Sequence, residues 1–159
     1  MEKLAQQLGQ LLKKSGQTLV TAESCTGGWA AQAVTSVAGS SDWFERGFVT
    51  YSNDAKHELL NVSKNTLKNH GAVSEETARE MALGALGRSK GTLALAITGV
   101  AGPSGGSKDK PVGTVCFAWA RKGSPARSAT RHFKGDRESV RRQSVVHALE
   151  GVMELLDAD

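Results

Sequence analysis

The chain has 159 residues, enough for one domain with a proper hydrophobic core, and its 39% hydrophobic and 23% charged residues are ordinary for a soluble globular protein. A net charge of +4 leans toward anionic ligands, but the basic residues are scattered rather than massed. With aromatics at 5% there is no base-stacking platform either, so no nucleic-acid partner is expected.

The first segment, MEKLAQQLGQLLKKSG, reads as an amphipathic helix rather than a signal peptide. Leu4, Leu8, Leu11 and Leu12 follow helical spacing, and Gly16 stands where a helix C-terminal glycine belongs. No stretch is apolar enough to span a bilayer, so no membrane association is expected. Cys25 and Cys116 lie far apart without a CxxC pair, which fits a reducing cytoplasm better than a secreted disulfide scaffold.

TLVTA (18–22) predicts a short buried strand that runs into SCTGG and a small-residue helix, WAAQAVTSVAG, ended by Gly39. RGFVTYS (46–52) predicts a second strand, followed by a short helix from Asn53 to Leu60. Ser63 and Ser74 read as helix N-caps. Behind Ser74 the stripe Ala78, Met81, Ala82, Ala85 and Leu86 predicts a helix over 75–88. TLALAIT (92–98) predicts a central strand leading into GVAGPSGG. VGTVCFAWA (112–120) and ARSATRHF (126–133) predict an antiparallel pair. Asp136 caps the last helix, whose inner face carries Val140, Leu149, Val152, Met153 and Leu156. Helices alternating with strands before a late hairpin predict a three-layer α/β/α sandwich with a mixed central sheet, in one domain over 1–159.

Two strands end in glycine-rich turns, ESCTGG and GVAGPSGG, and ligands of open α/β sheets gather outside such strand ends. Gly27-Gly28 lets backbone amides approach an oxyanion or phosphate, and Gly99, Gly102, Gly105 and Gly106 offer the same over a longer loop. Neither is a Walker A or GxGxxG loop. Ser24, between strand and helix, is placed as an exposed nucleophilic hydroxyl would be, although an N-cap is the more ordinary role for a serine there. His57, His70, His132 and His147 have no telling acidic companion, so no Ser-His-Asp triad stands out.

Lys56, soon after a strand end, is the better base, provided burial brings its pKa toward neutrality. Tyr51, the single tyrosine, could hydrogen-bond that lysine through its hydroxyl or relay a proton. Cys25 competes with Ser24 for the nucleophile role, and Glu23, Lys56 and Cys25 hold the residue types of a Cys-Glu-Lys amidase. Spacing does not decide between serine and cysteine. Arg137, Arg141 and Arg142 crowd the first two turns of the last helix, where the dipole disfavours cations. A shared anion would account for them, with Arg142 or Arg141 reaching it. HExxH, clustered Asp/Glu and paired CxxC are missing, so no metal is expected.

TAESCTGG, FERGFVTYSNDAK, GAVSEETA, ITGVAGPSGG, KPVGTV and DRESVRRQ, taken in order, together resemble the CinA C-terminal-domain family, in particular its stand-alone amidase members. The similarity covers residues from about 5 to 155. It implies an α/β/α fold and hydrolysis of the carboxamide of nicotinamide mononucleotide to nicotinate mononucleotide and ammonia, without a cofactor. It also implies Ser24 as nucleophile, Lys56 as base and Tyr51 as helper. Cys25, Thr26, Gly27 and Gly28 would hold the oxyanion and substrate. Thr98, Gly99, Ala101, Gly102, Pro103 and Gly105 would line the site, and an arginine of the RRQ helix, Arg141 or Arg142, would bind substrate. Ser104 departs from the acidic residue or threonine common there. A homodimer is expected, with a neighbouring subunit completing the pocket. The competing reading is a non-catalytic nucleotide-binding module in a competence or DNA-repair assembly.

Overall fold

The apolar run at 18–23 forms a strand buried along its whole length because it lies between two others. The structure, a computed structural model, describes residues 1–158. Strand β1 (Leu19–Glu23) pairs in parallel with β2 (Phe44–Val49) on one side and β3 (Leu93–Gly99) on the other. β4 (Thr114–Arg121) and β5 (Arg127–His132) continue the sheet antiparallel, giving the order β2-β1-β3-β4-β5. Strands buried on both faces read as continuous apolar runs rather than alternating ones, as β1, β3 and β4 do.

Side-chain size sorts the two faces. Leu19, Leu93, Leu95, Ile97, Val115, Phe117 and Trp119 point toward α1 (Glu2–Ser15), α2 (Trp29–Thr35) and α6 (Arg137–Asp157). The other face presents Val20, Ala22, Ala94, Ala96, Ala118 and Ala120 to α5 (Glu75–Gly87), with α3 (Asn53–Leu60) and α4 (Lys64–His70) beside it. Alanines let α5 lie close to the sheet, whereas the first face needs bulk to fill a wider gap. Each fully buried leucine, such as Leu8 or Leu149, contributes on the order of 2 kcal/mol by leaving water. The result is a three-layer α/β/α sandwich with a mixed sheet. Among the described residues no helix is long and apolar enough to cross a membrane.

The caps lie where the sequence suggests: Gly16 in the left-handed region at φ 68°, and Ser63, Ser74 and Asp136 each accepting a backbone N–H; Ser52, expected at the end of a strand, caps α3 in the same way. Two boundaries differ. Helix α2 stops at Thr35 rather than Gly39, because the Thr35 and Ser36 hydroxyls bond back to Ala31 and Ala33 and loosen the last turn. Gly39 instead opens a 3-10 turn over Ser40–Asp42. Strand β2 runs from Phe44 to Val49, two residues earlier than expected. The Thr50 N–H closes the ladder on the Glu23 carbonyl, after which Tyr51 and Ser52 turn away to start α3. α3 is held from behind by α5: a Cβ on Gly84 would lie 1.9 Å from the Leu60 carbonyl oxygen. That close approach fixes the helix that carries Lys56.

Candidate active site

The carboxyl ends of β1, β2 and β3 converge on Ser24, the first residue past β1. Its N–H donates to the Ile97 carbonyl of β3 at 3.0 Å, so the neighbouring strand fixes its backbone. Lys56 sits in the first turn of α3, and a helical side chain leans toward its own N-terminus. Its stem is therefore carried back over residues 50–52. The ammonium nitrogen ends 3.0 Å from Ser24 Oγ, 2.9 Å from the Thr50 carbonyl and 3.2 Å from the Tyr51 carbonyl. Lys56 is 1% exposed and Ser24 7%.

These three contacts have a chemical consequence. The two carbonyls can only accept, so a neutral amine spends both its hydrogens on them. Its lone pair would then face Ser24 Oγ and could take a proton from it; as the ammonium, the lysine donates to that oxygen, and Ser24 Oγ donates to the Tyr51 carbonyl at 3.4 Å. Burial pushes the Lys56 pKa down to about 8. No carboxylate of the described residues makes an ion pair with it.

Glu23, the nearest candidate counter-ion, is turned to the other face. Fully buried, its carboxylate accepts from Thr26 Oγ1 at 2.6 Å and from the Ala30 and Ala31 amides at 2.7 and 3.1 Å, capping α2. Its place is structural, and the Cys-Glu-Lys grouping does not assemble. Cys25 packs into the core at 6% exposure, and burial pushes its thiol up to about 11. A thiol so held is protonated at neutral pH and a poor nucleophile. Ser24 is buried to nearly the same degree, and it is Ser24 Oγ that the Lys56 nitrogen meets.

The turn after Ser24 is tightly made. Gly27 at φ 62° returns its N–H to the Ser24 carbonyl at 3.0 Å, and Gly28 at φ 106° precedes α2 in a conformation that side chains resist. Among the described residues the amides of Thr26 and Gly28 meet no protein acceptor. Thr98 stands next to Ser24 across the sheet, its hydroxyl donating to the Ala72 carbonyl at 2.8 Å. Gly99 closes on β4, Ala101 is buried in the core, and Gly102, Pro103 and Gly105 lie in the longer loop before β4.

Three placements differ from the sequence-based expectation. Tyr51 meets Lys56 through its main-chain carbonyl, while its side chain is 63% exposed. Its hydroxyl accepts from Arg137 at 3.4 Å instead. Arg137 also donates to the Gly102 carbonyl at 2.8 Å, so it ties the long loop to the tyrosine. Sequence reasoning noticed Arg137 but favoured Arg141 and Arg142. Four-residue spacing puts Arg137 and Arg141 on one helix face, a signal that could have singled out that pair. Arg142 is turned toward Glu138 at 3.3 Å and over the Trp29 ring, and Arg141 holds the Cys25 and Thr26 carbonyls.

A cavity of about 560 Å³ between α5, β4, β5 and the long loop is lined by residues such as Glu75, Arg79, Lys110 and His132. None of its lining residues belongs to the Ser24–Lys56 pair. Among the described residues no three His, Cys, Asp or Glu side chains are grouped to hold a metal ion.

A relative named nicotinamide-nucleotide amidohydrolase PncC, from Escherichia coli K12, is 54% identical over 92% of this chain and 89% of its own. One of the same name from Pseudomonas putida is 51% identical, over 96% and 94%. The crystal structure of competence/damage inducible protein CihA from Agrobacterium tumefaciens matches with a TM-score of 0.94 at 45% identity, covering 97% of this chain and 94% of that one. The family model for the CinA C-terminal domain matches residues 1–156. The chain belongs to the CinA C-terminal domain family.

Proposed function

We propose that the chain is an amidohydrolase that converts nicotinamide mononucleotide and water to nicotinate mononucleotide and ammonia, as a step of pyridine-nucleotide salvage. One observation supports the mechanism: a buried lysine without a carboxylate partner, its nitrogen 3.0 Å from a serine hydroxyl. The relatives' names support the substrate.

Neutral Lys56 takes the Ser24 proton as Oγ attacks the carboxamide carbon, giving a tetrahedral oxyanion. Amides of the Cys25–Gly28 turn hold that oxygen; one such donor is typically worth ~3 kcal/mol of barrier. The protonated lysine returns the proton to the departing nitrogen, the C–N bond breaks, and ammonia leaves. Water, deprotonated by Lys56, then attacks the ester and releases the carboxylate and Ser24. Tyr51 presents an exposed ring and Arg137 a guanidinium at the mouth, suited to the pyridine ring and the phosphate. Arg137 takes the place that sequence reasoning gave to Arg141 or Arg142. Thr98, Gly102 and their loop complete the wall.

The same reading puts the enzyme in the cytoplasm with a small-molecule substrate and no nucleic-acid partner. It also makes the enzyme a homodimer, because Val49, Tyr51 and Val112 leave an exposed apolar rim for a second subunit to cover.

The test is ammonia release by purified protein. Release from the mononucleotide, at least tenfold slower from free nicotinamide, is the expected result. Calorimetric binding of the mononucleotide without ammonia release would replace the enzyme with a nucleotide-binding module. Equal rates on both substrates would make it a general small-carboxamide amidase.

A further inference from the structure

Arg141 reaches the site from α6 but ends on main-chain oxygens. Its Nε donates to the Cys25 carbonyl at 3.1 Å and its Nη2 to the Thr26 carbonyl at 3.2 Å. These two bonds engage consecutive peptide groups of the turn that follows Ser24. In a trans peptide the carbonyl and the next residue's N–H point in opposite directions and are locked in one plane. The one cis bond of the described residues is Gly102-Pro103, so both groups here are trans.

Holding the Cys25 oxygen therefore aims the Thr26 N–H away from α6. Holding the Thr26 oxygen likewise sets the Gly27 N–H, which closes the turn on the Ser24 carbonyl at 3.0 Å. The Thr26 amide is left without a protein acceptor. A cation on the far side of a peptide also draws electron density toward the carbonyl oxygen and makes its N–H a stronger donor.

The clamp is itself braced. The guanidinium lies 5.5 Å from the Trp29 ring centroid, and Arg142 lies over the same ring at 5.1 Å. A Cβ on Gly27 would sit 3.5 Å from Arg141 Nη2, so the turn and the guanidinium fit closely.

The geometry points to Arg141 as a positioning residue for the reaction: by clamping the Cys25 and Thr26 carbonyls it orients the Thr26 amide that receives the oxyanion, rather than binding the substrate's phosphate. This rests on the amidohydrolase reading above. Arg141 then acts in the transition state and not on ground-state affinity, which gives it a kinetic signature unlike that of a phosphate ligand.

The experiment measures kcat and KM for wild type, Arg141→Gln, Arg141→Lys and Arg141→Ala with nicotinamide mononucleotide and with nicotinamide riboside, which lacks the phosphate. Ser24→Ala is run alongside, and thermal melting confirms folding. For Arg141→Gln the expected result is a kcat lower by about 100-fold with KM within about twofold. The fractional loss should be the same on both substrates. Arg141→Lys should retain only one of the two contacts and fall between. Added guanidinium should restore part of the Arg141→Ala rate, which a general loss of folding would not allow.

A raised KM with unchanged kcat, seen only with the phosphorylated substrate, would overturn the inference and make Arg141 a phosphate ligand. Unchanged kinetics would overturn it equally. Absence of wild-type turnover, or its survival in Ser24→Ala, would sink the parent reading instead.

Discussion

The turn after β1 and the loop after β3 leave the same end of the sheet, both rich in glycine, and they are built differently. The first spans 24–28 and is held at three points: Glu23 caps the helix behind it, Arg141 holds two of its carbonyls, and Lys56 meets its serine. The second, 100–113, is longer and mostly exposed, and Arg137 reaches it from outside at Gly102. A rigid turn suits groups that must hold sub-ångström geometry through a reaction, and an open loop suits contacts that grip a ligand. On this division, changes at the first turn should lower kcat, and changes at the second should raise KM.

Lys56→Met should lower kcat by about 10³-fold, because it removes the proposed base. In the wild type the rate should climb with pH through about 8 and level off above, as the buried amine loses its proton. The variant's residual rate should lose that inflection; an unchanged inflection would mean that another group titrates. Stability should move the same way. The unfolded chain keeps the Lys56 proton up to about 10.5 and the folded one releases it near 8. Between those values the unfolded state binds more protons, so stability rises with pH, by roughly 3 kcal/mol in all. Chemical denaturation at pH 7.5 and 10 reads this, with Lys56→Met showing a smaller rise.

Glu23→Gln should come next. It sets an amide against buried N–H donors and should cost roughly 2–4 kcal/mol, seen as a lower Tm together with a lower kcat. A lower kcat alone, with Tm intact, would mean that Glu23 takes part in the chemistry.

Much of this was legible in the sequence, and the rest was not for identifiable reasons. Buried strands and helix caps declare themselves through apolar runs and through serine or aspartate before a periodic segment. Ser63, Ser74 and Asp136 are cases in point. The choice between Ser24 and Cys25 is invisible to spacing, since it depends on which side chain Lys56 reaches in the fold. Glu23 looked like a reactive partner because Glu23, Lys56 and Cys25 are the residue types of a Cys-Glu-Lys amidase, and only the fold shows that it turns to α2. The different placements of the arginines were not legible because α6 rotates about 100° per residue. Neighbouring Arg141 and Arg142 thus face different surroundings, and Arg137, a full turn earlier, is the one beside Tyr51.

On the loop side the expected effects are smaller. Arg137→Gln should raise KM for the mononucleotide about tenfold, or about 1.4 kcal/mol, with kcat nearly kept. A matching loss of kcat would erase the division between turn and loop. Ser104→Ala, on the exposed part of the loop, should stay within about 0.5 kcal/mol in stability and near wild type in rate.

The pairing of Ser24 with Lys56 is tested most directly by ammonia release from nicotinamide mononucleotide in Ser24→Ala and Cys25→Ala, measured side by side. The predicted result is no detectable release from Ser24→Ala and a rate within several-fold of wild type from Cys25→Ala. Release surviving in Ser24→Ala but lost in Cys25→Ala would contradict the serine–lysine mechanism outright.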